Sequence, residues 1–174
     1  KSEDIKKANY VSMGYKKGVP MGGDLIPNAT KKAPSFMVKA SKGPKGANLD
    51  RIQIIKGWTK NGKTFEKIYN VAWAGKRKPN AKGILPAVGN TINAKTATYT
   101  NTIGAKELIS TWVDPEFDPS VEAFYYVRVL EIPTPHWSVY DAARFGTQHP
   151  KDAPIINIEK AYSSPIWISP LTSK

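Results

Sequence analysis

The stretch Arg51–Trp73, RIQIIKGWTKNGKTFEKIYNVAW, constrains the fold more than any other. Two runs rich in β-branched and aromatic residues flank Asn61-Gly62, the strongest short-range signal for a β-hairpin. On the second arm the spacing puts Phe65, Tyr69, Val71 and Trp73 on one face and Glu66 and Asn70 on the other, with Lys67 breaking the alternation. On the first arm Ile52, Ile54 and Trp58 share a face and Ile55 points the opposite way. That arm therefore reads as an inner strand covered on both sides.

The rest of the chain follows the same pattern of short strands and turns. Ser35–Ala40 reads as a strand, Ser41–Asn48 and Gly75–Pro86 as loops, and Thr91–Thr102, with its alternating threonines, as an edge strand. Ala105–Val113 gives another strand, followed by the Pro-punctuated turn Asp114–Ser120. Glu122–Ile132 is apolar on both faces and predicts a central strand. Arg128 lies within it, and burial there requires a carboxylate or carbonyl partner. Pro133–Trp137 interrupts the sheet, and Ser138–Phe145 predicts a short helix capped by Ser138 and ended by Gly146. Ile155–Ile158 is weakly strand-like, and Tyr162–Ile168 predicts a last strand that Pro165 places at an edge or a bulge. Ahead of all this, Ser2–Lys16 has helical spacing, with Ser2 or Asp4 as cap and Gly18 and Pro20 as its end. The expected fold is mainly β, a β-sandwich-like arrangement of antiparallel sheets with an N-terminal helix and one short helix at 138–145. Residues 18–174 form a single β-rich domain, and residues 1–17 are read as the tail of an upstream domain. The chain opens KSEDIKK rather than with Met, as expected of a fragment cut from a longer protein.

Composition narrows the chemistry. Without cysteine there is no disulfide and no thiolate metal site, so the core must supply the stability. No apolar run approaches the roughly 20 residues of a membrane-spanning helix. The net charge is +12, but the lysines are scattered through turns. A solubilising surface is expected in preference to a nucleic-acid footprint. His136 and His149 stand thirteen positions apart, without the spacing of a metal motif, and Ser163-Ser164 lacks a nucleophile elbow. Gly22-Gly23-Asp24 has no Gly-Lys-Ser/Thr ending and reads as a connector in which Asp24 is the one ionisable group. Asp114, Glu116 and Asp118 form an acidic turn, whose Asp-Pro steps suit turn chemistry better than calcium binding. His136 is a turn histidine or, in a sharper reading, acts with Asp141 on a neighbouring site. Trp137 and Tyr140 lie outside the strand patterns and are the best candidates for exposed function.

The blocks GVPMGGDL, RIQIIKGW, VGNT, ATYTNTIGA, DPEFDPS, FYYVRVLEIPTPHW, YDAARFG and SSPIWISP resemble, in the same order, the C-terminal region of the DUF3604 family. That family consists of bacterial proteins related to the PHP-type metal-dependent hydrolases. The resemblance implies a non-catalytic β-rich region, with metal ligands in an upstream part that opens with a block like GDLHxH. Gly23-Asp24-Leu25 lacks the following His, so no metal ligand transfers to this chain, and a divalent metal is expected only upstream. The implied partner is the upstream catalytic domain, contacted by Asp24, Arg128, His136, Trp137, Tyr140 and Asp141. The family commonly has a basic residue where His136 stands. The resemblance also implies a periplasmic or secreted setting. Beside this reading stand two others: a carbohydrate- or polyanion-binding β-sandwich module, and a structural or oligomerisation domain.

Overall fold

The structure, a computed structural model, describes residues 8–26 and 32–170. It is mainly β and antiparallel. The hairpin is formed as the sequence dictates, by β2 (Leu49–Lys60) and β3 (Lys63–Trp73). Asn61 and Gly62 both have positive φ, 53° and 71°. This is the type I′ turn whose twist matches that of the flanking strands. β2 lies between β3 and β5 (Ala123–Glu131), and so is an inner strand. Ile52, Ile54 and Ile55 are all essentially inaccessible. Burial of each contributes roughly 1.5–3 kcal/mol.

Beyond β5 the sheet is completed by β8 (Lys160–Tyr162) and β9 (Ile166–Ile168), which pair with opposite ends of β5. The sequence predicts one strand over Tyr162–Ile168, but Pro165 divides it in two. Ser163 bridges the gap: its N–H donates to the Val127 carbonyl at 3.0 Å, and its Oγ accepts from the Val127 N–H at 2.9 Å.

The second sheet pairs β1 (Ser35–Ser41) with β4 (Glu107–Val113). It packs on the face of the larger sheet that presents the even-numbered residues of β2. Phe36 thereby meets Ile54, Ala123, Tyr125 and Ile168, and Leu108 meets Leu49 and Ile52. Phe36 and Tyr125 approach to 4.7 Å between ring centroids, as do Tyr69 and Trp112. Tilted ring pairs at this spacing add to the stability that burial provides.

A bulge alters one expected face. Gln53 pairs with Asn70 and Ile52 with Ala72, so Val71 is an extra residue in β3. It joins the core, packing on both hydrophobic clusters. Trp73 then falls opposite Arg51, on the outer face with Glu66 and Asn70 rather than with Phe65 and Tyr69.

Two further expectations are corrected. Thr91–Thr102 is not a strand but a chain of turns closed by one bridge between Asn93 and Thr98. The Asn90 and Asn93 side chains accept from the amides of Ile92 and Lys95, and Thr91 Oγ1 donates to the Thr100 carbonyl. Short polar side chains here outcompete ladder formation. The helix α2 spans Trp137–Phe145 and starts one residue earlier than expected; its cap is His136, not Ser138, and Gly146 ends it in the left-handed conformation. The N-terminal helix α1 is described over Tyr10–Lys17 and closes with the Gly18 N–H on the Gly14 carbonyl. The expected caps Ser2 and Asp4 lie outside the described residues. Strands β6 (Thr134–Pro135) and β7 (Ile156–Asn157) make a short pair beside α2.

Candidate functional site

Two polar constellations stand out. The first is internal. Lys56 projects from β2 into the core side, where Nζ meets Asp114 Oδ2 at 2.6 Å and the Glu116 carbonyl at 2.8 Å. Both side chains of this ion pair are buried. Tyr125 donates its hydroxyl to the same Asp114 oxygen at 2.7 Å, and the other Asp114 oxygen accepts the Glu116 N–H at 2.9 Å. Further out, Glu116 takes the Lys67 ammonium on one oxygen and the Tyr69 hydroxyl on the other, the latter at 2.9 Å. Lys60 pairs with Asp118 at 3.0 Å. The Lys67 ammonium, followed by the Tyr69 hydroxyl, holds the Glu116 carboxyl below the usual range. Burial, and then the hydrogen bond to a carboxylate, push both the Tyr69 and Tyr125 hydroxyls up. These groups satisfy one another. They clamp the acidic turn onto the hairpin, a structural use of charge.

The second constellation is open to solvent. A cleft of about 420 Å³ lies where β5 runs out into α2, and Tyr99, Glu131, His136, Trp137, Tyr140 and Glu159 line it. The chain arrives from four separate segments. Glu131 is brought beside Glu159 by its own N–H, which donates to the Glu159 carbonyl at 3.0 Å. Burial first, and the Glu159 charge after it, raise the Glu131 carboxyl. Asn157 Nδ2 donates to Glu159 Oε1 at 2.6 Å. Trp137 is 67% exposed and Tyr140 43% exposed. Burial, with Tyr99 close by, raises the Tyr140 hydroxyl.

His136 links the cleft to the start of α2. Its Nδ1 accepts the Ser138 N–H and lies 2.8 Å from Ser138 Oγ, which in turn lies 2.9 Å from His149 Nε2. The two histidines of the chain, unrelated in sequence spacing, are thus joined through one buried hydroxyl. Because Nδ1 accepts, the neutral His136 ring carries its proton on Nε2.

The six residues singled out from sequence fall in four places. His136, Trp137 and Tyr140 meet at the cleft. Asp141 is on the same helix and exposed, but does not line the cleft, and His136 is bonded to Ser138 rather than to it. Arg128 lies on the outer sheet face, half-buried, with Nε donating to Gln53 Oε1 at 2.9 Å. An amide carbonyl thus fills the role the sequence assigns to a carboxylate or carbonyl. Asp24 is exposed at a parallel bridge with Trp167. It adjoins an apolar groove of about 900 Å³ lined by Met13, Val19, Phe36, Val127 and Ile166. Tyr99, Glu131, Asn157 and Glu159 were not singled out, because no linear motif joins segments so far apart.

Among the described residues no group of three or more His, Cys, Asp or Glu side chains could hold a metal ion. No described helix is long and apolar enough to cross a membrane. No curated protein and no solved structure matches the chain. The profile of the family described as "Protein of unknown function (DUF3604)" matches residues 1–170. The chain belongs to the DUF3604 family.

Proposed function

We propose that this chain is the C-terminal, β-rich accessory region of a PHP-like metal-dependent hydrolase, non-catalytic by itself, whose metal-bearing catalytic part lies upstream in the same protein. One observation carries the reading. The buried Lys56–Asp114 pair is spent on the acidic turn and the hairpin, and the buried Asp50 on Arg77 of the following loop, whereas the open cleft offers aromatic faces and hydrogen-bonding side chains, a chemistry of contact. His136, Trp137 and Tyr140 on that cleft are the residues that meet the substrate or the catalytic part, in a periplasmic or secreted setting.

The test compares residues 1–174 with the longer polypeptide encoded by the same reading frame, using phosphoester substrates and added divalent metal. Hydrolysis is expected only from the longer polypeptide. Equal rates from residues 1–174 alone would overturn the proposal, as would a reading frame with no upstream His-rich segment.

A further inference from the structure

The lining of the cleft discriminates between classes of ligand. Its volume lies within the roughly 300–1,000 Å³ typical of small-molecule sites. An anion entering it would face Glu131 and Glu159 together. Glu131 and Glu159 are held side by side by the Glu131 N–H on the Glu159 carbonyl, so a phosphate or sulfate would meet two carboxylates, opposed by the charge of Lys42. The overall charge of +12 therefore does not describe this place. An organic cation would suit the carboxylates and the rings. It would leave the hydroxyls of Tyr99 and Tyr140 and the His136 Nε2 proton without a role. A polyhydroxylated neutral ligand uses them all. Each of its hydroxyls both donates and accepts, matching carboxylates that accept, phenols that do both and an imidazole N–H that donates. Its C–H faces pack on exposed aromatic rings, which offer broad amphipathic surface at little entropic cost.

We propose that the cleft binds a neutral carbohydrate, one sugar ring stacked on Trp137, the more exposed of the two rings, and its hydroxyls held by Glu131 and Glu159. The inference rests on the reading of this region as a contact surface, and it names the class of molecule contacted.

The experiment titrates the chain with neutral oligosaccharides of glucose, mannose, galactose and N-acetylglucosamine. Tryptophan fluorescence and calorimetry are followed, with tetramethylammonium and heparin as competing classes. A saturable response to at least one neutral oligosaccharide is expected, insensitive to salt. It should weaken by about tenfold or more in Trp137→Ala, the magnitude of a central aromatic contact. Tyr162→Ala, which removes another exposed ring on a different face, should leave it unchanged. No response to any of the four sugars, a response that survives Trp137→Ala, or a Trp137-dependent response confined to tetramethylammonium or heparin would overturn the inference. Its failure is separable from that of the accessory role. A flat titration leaves the hydrolysis comparison untouched, and hydrolysis by residues 1–174 overturns the accessory role whatever the sugars do.

Discussion

Asp114 holds more of the molecule together than its place in a Pro-punctuated turn suggests. Replacing it with Ala would strand the Lys56 ammonium in the core and remove the acceptor of the Tyr125 hydroxyl. Breaking one side of a buried pair costs about 3–5 kcal/mol. Urea denaturation of Asp114→Ala should show a loss of that order, and a loss below about 1 kcal/mol would mean that the clamp is decorative. Glu116 makes a distinct prediction in pH. Its carboxyl is held below the usual range by Lys67 and Tyr69, so it binds a proton more readily in the unfolded chain. Its stabilising effect is complete above the ordinary glutamate value of about 4.3 and fades as pH falls through the lower folded value. Glu116→Gln should therefore lower stability at neutral pH and flatten its acid dependence. Identical acid-unfolding profiles for the two proteins would contradict the assignment.

At the scale of the element, the Phe124 ring of β5 lies over Gly57 of β2 and occupies the space a side chain there would need. A Cβ there would come within 2.3 Å of the Phe124 ring. Overpacking of this kind costs about 1–3 kcal/mol. Gly57→Ala should lower the unfolding midpoint accordingly, and Phe124→Ala in the same chain should make the glycine substitution close to neutral. Lack of such coupling would show that the ring moves aside freely. For α2, His136→Ala removes the acceptor of the Ser138 N–H and should cost about 1 kcal/mol, as lost caps do. His136→Asn should restore most of it, and full stability of the alanine variant would discount the cap. These two elements also show what was legible beforehand. The hairpin was readable because Asn61-Gly62 and the flanking apolar runs act locally, and the Glu122–Ile132 strand because it is apolar on both faces. Thr91–Thr102 alternates as a strand does, but its asparagines and threonines satisfy the backbone within a few residues, which periodicity does not register. The cap at His136 was missed because histidine is not among the habitual capping residues.

For the whole molecule, the separation of the two polar constellations matters most. One is closed on itself, and the other is open at the far end of β5. Three of the cleft residues are legible in the sequence, because Trp137 and Tyr140 sit outside any strand pattern and His136 lies between Pro135 and Trp137. The carboxylate side was not found, since Glu131 and Glu159 meet only through a strand contact. The charge of +12 and the cleft should likewise act independently. Association with heparin should fall more than tenfold between about 50 and 200 mM salt, as screened phosphate-type contacts do, and should not respond to Trp137→Ala. Salt-resistant retention would instead point to a built anion site.

The extra residue at Val71 gives the second arm of the hairpin two allegiances. Up to Tyr69 the odd positions look inward; past the irregularity Ala72 does so instead, and Trp73 is freed to hold the following loop through its indole N–H on the Arg77 carbonyl. Removing that one position would leave Ala72 opposite Ile52 and Trp73 opposite Arg51 in an uninterrupted ladder, keeping the indole's anchorage and taking only the Val71 side chain out of the interior.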